Sequence, residues 1–258
     1  MISISLSFPS VVLLQPVHIE IGLPYSFSAS APPWKTLWGL HCAMEQGDWF
    51  FRSLNIGDMI DSAGFAFVAP SLGNGWFINS PSEARADFLE ELFESLPSIL
   101  SLSTSREDNA IVGVSMGGFG ALRAAFQSGR FARVAAISTV FDANIAPDVA
   151  IKKDRAQNAI YQALRKNTRQ FLLTEDGLPR PEADLLPLLK NGRADFPVVD
   201  LFCGEQDYIA LPQNLALEKL FAERGVPSNL FLSPGGHDIA YWRESFTTAV
   251  AKILMVSN

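Results

Sequence analysis

The stretch Ile111-Val112-Gly113-Val114-Ser115-Met116-Gly117-Gly118-Phe119-Gly120 limits the fold more than any other part of the chain. It carries Gly-x-Ser-x-Gly directly after an apolar run and directly before a helical pattern. That spacing suits a very sharp strand-to-helix turn, in which Ser115 takes up strained backbone and its hydroxyl stands above a sheet. Side chains two residues before and two after the serine would collide across such a turn, which accounts for Gly113 and Gly117. A helix N-terminus also favours negative charge developing beside the serine. Two flanking glycines occur by chance at roughly 1 in 200 serines, so a random chain with on the order of twenty serines shows the motif about one time in ten. The strand before it and the helix after it sharpen the reading. The bland alternative is a glycine-rich turn without chemistry. Phosphate cradles do not fit, because no Gly-Lys-Ser/Thr follows and Arg123 stands where the dinucleotide pattern needs its last glycine.

The rest of the chain supplies a sheet for this turn. Ile2, Ile4, Leu6 and Phe8 alternate with serines, and Val17, Ile19, Ile21 and Leu23 alternate with His18, Glu20 and Gly22. Both predict half-buried strands, paired antiparallel. The apolar run at 35–40 is consistent with a strand covered on both faces, and 65–69, 109–114, 133–138, 197–203 and 228–232 predict further strands. Helices are expected at 117–128, 212–224 and 241–255, and after Ser80-Pro81-Ser82-Glu83, with Ser80 as the cap and Phe88, Leu92 and Leu96 on the inner face. Residues 141–195 are rich in charge and proline. They predict an excursion over the strand ends, with one or two helices around 155–171. The expected class is therefore α/β, a mostly parallel sheet of about eight strands with helices on both faces, in one domain over 1–258 with 141–195 as a candidate cap.

Composition narrows the function. Hydrophobic residues are 48% and charged residues 18%, enough for a sizeable core. Twenty basic and twenty-seven acidic residues give a net charge of −7, a poor match to nucleic acid or an anionic membrane surface. Two cysteines form neither a disulfide framework nor a four-cysteine zinc site, and three histidines leave little for a metal centre. No apolar run reaches membrane-spanning length. The N-terminal segment alternates and has no basic residue before Lys35, so no secretion signal is expected and the location expected is cytoplasmic.

A serine hydroxyl needs a general base. In this arrangement the partners follow in the order Ser, acid, His. His237, in Ser233-Pro234-Gly235-Gly236-His237-Asp238, is the one histidine after Ser115. The acid is expected after the preceding strand, where Gly204-Glu205-Gln206-Asp207 offers Asp207, with Glu205 as its rival. Asp238 is too local to orient the far side of the ring and reads as structural. Backbone donors for an oxyanion are expected at Met116 and at Ala43, after the strand end Leu40-His41-Cys42. His41 as a base and Cys42 as a nucleophile are weaker readings. Trp76, Phe77, Phe141, Tyr208 and Trp242 are the candidate substrate-pocket residues, with core packing the competing role for Trp242.

These segments resemble the esterase branch of the α/β-hydrolases that contains esterase D, S-formylglutathione hydrolase and tributyrin esterase. The resemblance spans nearly the whole chain. It is carried by Leu40-His41-Cys42-Ala43, Val68-Ala69-Pro70-Ser71, Glu90-Glu91-Leu92, Gly113 to Gly118, Gly204 to Asp207, and Gly235-Gly236-His237-Asp238-Ile239-Ala240-Tyr241-Trp242. His41 brings it nearest to the tributyrin-esterase type. The resemblance implies the α/β-hydrolase fold and a carboxylesterase with Ser115, Asp207 and His237 as triad, Ala43 and Met116 as oxyanion donors, no cofactor and no metal. It implies short-chain acyl esters, with acetyl and feruloyl esters of sugars or glutathione thioesters as alternatives. The expected partner is a small-molecule ester, with self-association left open. Cys42 departs from the family's glycine, and Leu54 replaces a threonine before Asn55 and Ile56. Cys42 is the feature that leans toward a catalytically silent binding protein of the same fold.

Overall fold

The computed structural model describes residues 1–28, 33–142, 155–190 and 196–255. Its chain order is β1 (Ile2–Ser10), β2 (Gln15–Leu23), β3 (Thr36–Leu40), α1 (Trp49–Ser53), α2 (Ile56–Ala63), β4 (Ala66–Pro70), α3 (Arg85–Leu100), β5 (Asn109–Val114), α4 (Met116–Ser128), β6 (Arg133–Ile137), α5 (Arg155–Leu172), α6 (Leu186–Lys190), β7 (Val198–Gly204), α7 (Leu211–Arg224), β8 (Ser228–Ser233) and α8 (Ile239–Met255). The strands form one eight-stranded sheet in the order β1-β2-β4-β3-β5-β6-β7-β8. β2 runs antiparallel to both β1 and β4, and the strands from β4 to β8 are parallel. This is the α/β-hydrolase fold.

Strand alternation divides the core in two. Trp38 and Leu40 of β3, Val68 of β4 and Ile111 of β5 face one layer, where they meet Phe88, Leu92 and Leu96 of α3, Phe119 and Leu122 of α4, and Phe221 of α7. Leu37, Phe67, Val112 and Val114 face the other, against Phe50 of α1, Ile60 of α2, and Phe246 and Val250 of α8. A sheet covered on both faces needs apolar side chains on both, so its central strands show continuous apolar runs.

One helix start differs from the expectation. α3 begins at Arg85, and Ser80–Glu83 form a closed turn whose two end residues exchange backbone hydrogen bonds. Ser80 Oγ does accept from the Glu83 N–H, at 3.1 Å, but outside the helix. The helix is capped instead by Asn79, whose Oδ1 accepts from the N–H groups of Ala86 and Asp87 at 3.0 and 3.2 Å. The cap arrives from six residues before the first helical turn, across the turn that Pro81 closes.

Candidate active site

Ser115 links β5 to α4 at φ +55°, ψ −114°, and is 8% exposed. Its N–H donates to the Ile137 carbonyl of β6 at 2.8 Å, which ties the turn to the sheet. A side chain on Gly113 would strike the carbonyl of Gly117 across the turn, as the sequence implies. Gly117 is required for another reason: a side chain there would strike the carbonyls of Leu40 and His41 at the end of β3. That close approach brings the loop after β3 against the first turn of α4. Met116 opens α4, so its N–H has no carbonyl partner inside the helix.

Three side chains from three strand ends meet here. Ser115 Oγ lies 3.0 Å from His237 Nε2, and His237 Nδ1 lies 2.8 Å from Asp207 Oδ2. Asp207 is fully buried after β7, and its second oxygen, Oδ1, accepts from the N–H groups of Ile209 and Ala210 at 3.2 and 2.8 Å. Burial pushes its carboxyl up, but the hydrogen bond and charge of His237, together with the Ala210 N–H, outweigh it and hold the group below the usual carboxylate range. Glu205, the rival acid, has its side chain in solvent. Asp238 caps α8, accepting from the N–H groups of Ala240 and Tyr241 at 3.0 and 3.1 Å. Gln206, which the sequence reading passed over, stitches the acid loop to the histidine loop. Its N–H donates to the Gly235 carbonyl at 2.9 Å, and its Oε1 accepts from the Gly235 N–H at 2.7 Å. Its position inside Gly204-Glu205-Gln206-Asp207 was the available signal.

His41 and Cys42 are not arranged as a base and nucleophile. His41 is fully buried, with Nδ1 on the Cys42 carbonyl at 2.9 Å and Nε2 taking the Leu72 N–H at 3.2 Å. Burial pushes the His41 ring down to about 4, against the raising effect of the Cys42 carbonyl. Burial raises the Cys42 thiol to about 12, with the charge of Glu45 adding to it. Cys42 is not among the residues at positive φ, so cysteine replaces the family glycine there without backbone strain.

The pocket candidates divide. Trp242 stands edge-to-face with the His237 ring, at 5.0 Å and 88°, and its indole N–H is buried with no acceptor among the described residues. Phe141 is partly buried, and its N–H donates to Gln213 Oε1 at 2.7 Å. Trp76 and Phe77 are buried in the core, both at positive φ. Trp76 reaches Asn167 of α5 at 3.3 Å, and Phe77 stands edge-to-face with His41 at 5.2 Å. Tyr208 is 64% exposed. Among the described residues, no cluster of His, Cys, Asp and Glu is arranged to hold a metal ion, and no helix is long and apolar enough to cross a membrane.

Residues 79–253 match the family model described as "Putative esterase". The chain is 27% identical over 231 residues to an acetyl esterase from Caldicellulosiruptor saccharolyticus, covering 87% of this chain and 85% of that protein. It superposes on the S-formylglutathione hydrolase FrmB of Staphylococcus aureus with a TM-score of 0.79 and 26% identity, covering 98% of both chains. FphF, a fluorophosphonate-binding serine hydrolase of the same organism, shares the fold at a TM-score of 0.81, with 24% identity and 98% of both chains covered. The chain therefore belongs to this esterase family and is a carboxylic ester hydrolase.

Proposed function

We propose that the protein hydrolyses short-chain acyl esters through an acyl-enzyme, with Ser115 as nucleophile, His237 as general base and acid, and Asp207 as its orienter. One observation carries this reading: the continuous hydrogen-bonded line from Ser115 Oγ through the His237 ring to the buried Asp207 carboxylate. Ser115 attacks the ester carbonyl carbon as His237 Nε2 takes its proton. The oxyanion falls to the N–H groups of Met116 and Ala43. The intermediate collapses, the C–O bond to the alcohol breaks, and His237 returns the proton to the leaving oxygen. Water then attacks the acyl-enzyme by the same route, and Asp207 supports the imidazolium in both halves.

A short acyl chain is favoured by the 27% identity to an acetyl esterase. We read the chain as one domain, with 141–195 as a cap over the strand ends; the contact of Trp76 with Asn167 supports the cap's attachment at this end of the sheet. Residues 143–154 and 191–195 of that cap lie outside the described residues. A thioester substrate is the second reading, favoured by the 26% identity to an S-formylglutathione hydrolase.

The test is a series of nitrophenyl esters of increasing chain length, beside glutathione thioesters and acetylated and feruloylated sugars. Wild-type protein is expected to turn over acetate and butyrate esters and to be labelled by a fluorophosphonate at Ser115. Activity on glutathione thioesters with none on nitrophenyl acetate would select the thioesterase. Folded protein that neither labels nor turns over any of these would be a silent hydrolase fold.

A further inference from the structure

The ring nitrogens of His41 bond outside the line of Ser115, His237 and Asp207, yet the residue is fully buried and both nitrogens are engaged. A carbonyl can only accept, so Nδ1 carries the proton toward Cys42. The Leu72 N–H can only donate, so Nε2 is the bare nitrogen. The ring is thus held neutral in one tautomer, with the Phe77 ring packed against it at 5.2 Å and 64°. The bond to the Cys42 carbonyl has a consequence that follows from covalent geometry. The C=O of Cys42 and the N–H of Ala43 belong to one planar peptide group and point in opposite directions. Fixing the carbonyl therefore fixes the direction of the Ala43 N–H.

The neighbouring bonds pin the same loop. Glu45 donates its N–H to the Cys42 carbonyl at 3.4 Å. Met44, at φ +69°, donates its N–H to Asn74 Oδ1 at 2.6 Å, and Gly47 donates to Ser71 Oγ at 2.9 Å. The peptides on both sides of the Ala43 Cα are held, and three of the anchors (Ser71, Leu72 and Asn74) come from the loop after β4. Donation to the Cys42 carbonyl also polarises the shared peptide, which strengthens its N–H as a donor.

We propose that His41 is a positioning residue for ester hydrolysis: its ring, seated on the loop after β4, locks the Cys42–Ala43 peptide plane so that the Ala43 N–H meets the oxyanion. This rests on the reading of Ala43 as an oxyanion donor. It gives His41 a role through backbone orientation, with no proton transfer to or from substrate.

Two substitutions separate the two bonds. In His41→Asn the side-chain amide N–H takes the place of Nδ1–H and keeps the Cys42 bond. In His41→Gln the longer side chain places its oxygen at Nε2 and keeps the Leu72 bond. The readout is kcat per fluorophosphonate-labelled site, which counts folded, competent enzyme, together with KM. Loss of one oxyanion donor costs ~10²–10³ in kcat. His41→Gln is expected to lose about that much with KM within ~3-fold of wild type, and His41→Asn to lose less than ~10-fold. Equal losses in the two variants, or no loss in His41→Gln, would overturn the proposal. Ser115→Ala is run beside them. Turnover surviving in that variant would remove the serine-esterase reading itself, whereas turnover lost there with full activity in His41→Gln removes only the role of His41.

Discussion

A serine at φ +55°, ψ −114° occupies backbone that costs on the order of 1–3 kcal/mol, so the surrounding structure must impose it. Here the impositions are visible: the Ile137 carbonyl holds its N–H, and the ends of β3 and β5 press on the turn from two sides. Ser115, Asp207 and His237 were legible in the sequence because each sits just past a strand and the chain order excludes other histidines. The choice of Asp207 over Glu205 carries a test at this scale. Asp207→Asn is expected to lower kcat by ~10³–10⁴, since an amide there stabilises the wrong imidazole tautomer. Glu205→Gln, with its side chain in solvent, is expected to stay within about twofold of wild type. Nitrophenyl acetate kinetics on both variants check this, and the reverse ranking would move the acid to Glu205. What the sequence hid at this scale were the groups that hold the loops, namely His41, Asn74 and Gln206. Their partners are backbone atoms of loops distant in sequence, and no periodicity or motif spacing reports such a bond.

At the scale of elements, the strands were the most readable, because a sheet buried on both faces writes continuous apolar runs and its half-exposed edge writes alternation. The two short helices α1 and α2, five and eight residues long, were not anticipated. Elements of one or two turns carry too little periodicity to stand out, and their burial comes from tertiary packing: Phe50 of α1 lies against Gly39 of β3 and Phe67 of β4, and Ile60 of α2 against Gly22 of β2. Trp76 and Phe77 show the related difficulty for a pocket: an aromatic pair in a loop does not disclose which way it faces, and here both sides of the pair are wrapped by core and by His41. The capping of α3 tests the same distinction between local pattern and tertiary contact. Ser80-Pro81-Ser82-Glu83 has the form of a capping box, but Asn79 holds the first-turn N–H groups of Ala86 and Asp87. Asn79→Ala is expected to destabilise the protein by about 1 kcal/mol, and Ser80→Ala by clearly less, because it loses a bond within a surface turn. Urea midpoints of the two variants, compared at equal slope, decide it, and a larger loss in Ser80→Ala would restore the box as the cap.

For the whole molecule, the site draws on strand ends from β3, β4, β5, β7 and β8, so the sheet is what keeps its members in register, and acid should act on fold and site together. Two buried groups set the sign. His41 is pushed down from about 6.5 to about 4. Between those values the unfolded chain binds a proton that the native protein does not, so stability falls as pH falls through this window, by up to about 3 kcal/mol. Asp207 is held below the usual carboxylate range, so the stability it contributes is present above about pH 4 and is lost only as pH falls through its lower native value. The windows therefore separate: His41 governs pH 6.5 to 4, and Asp207 governs the more acid range. Urea unfolding of wild type at pH 7, 5.5 and 4.5 is expected to show the progressive loss, accompanied by uptake of about one proton on unfolding from His41. His41→Asn removes the titrating ring, so its pH profile should be flatter over the same interval even where its stability at pH 7 is lower. Parallel profiles for the two proteins would mean that the ring is not held neutral in the native fold, and the bond from its Nε2 to Leu72 would have to be given up with it.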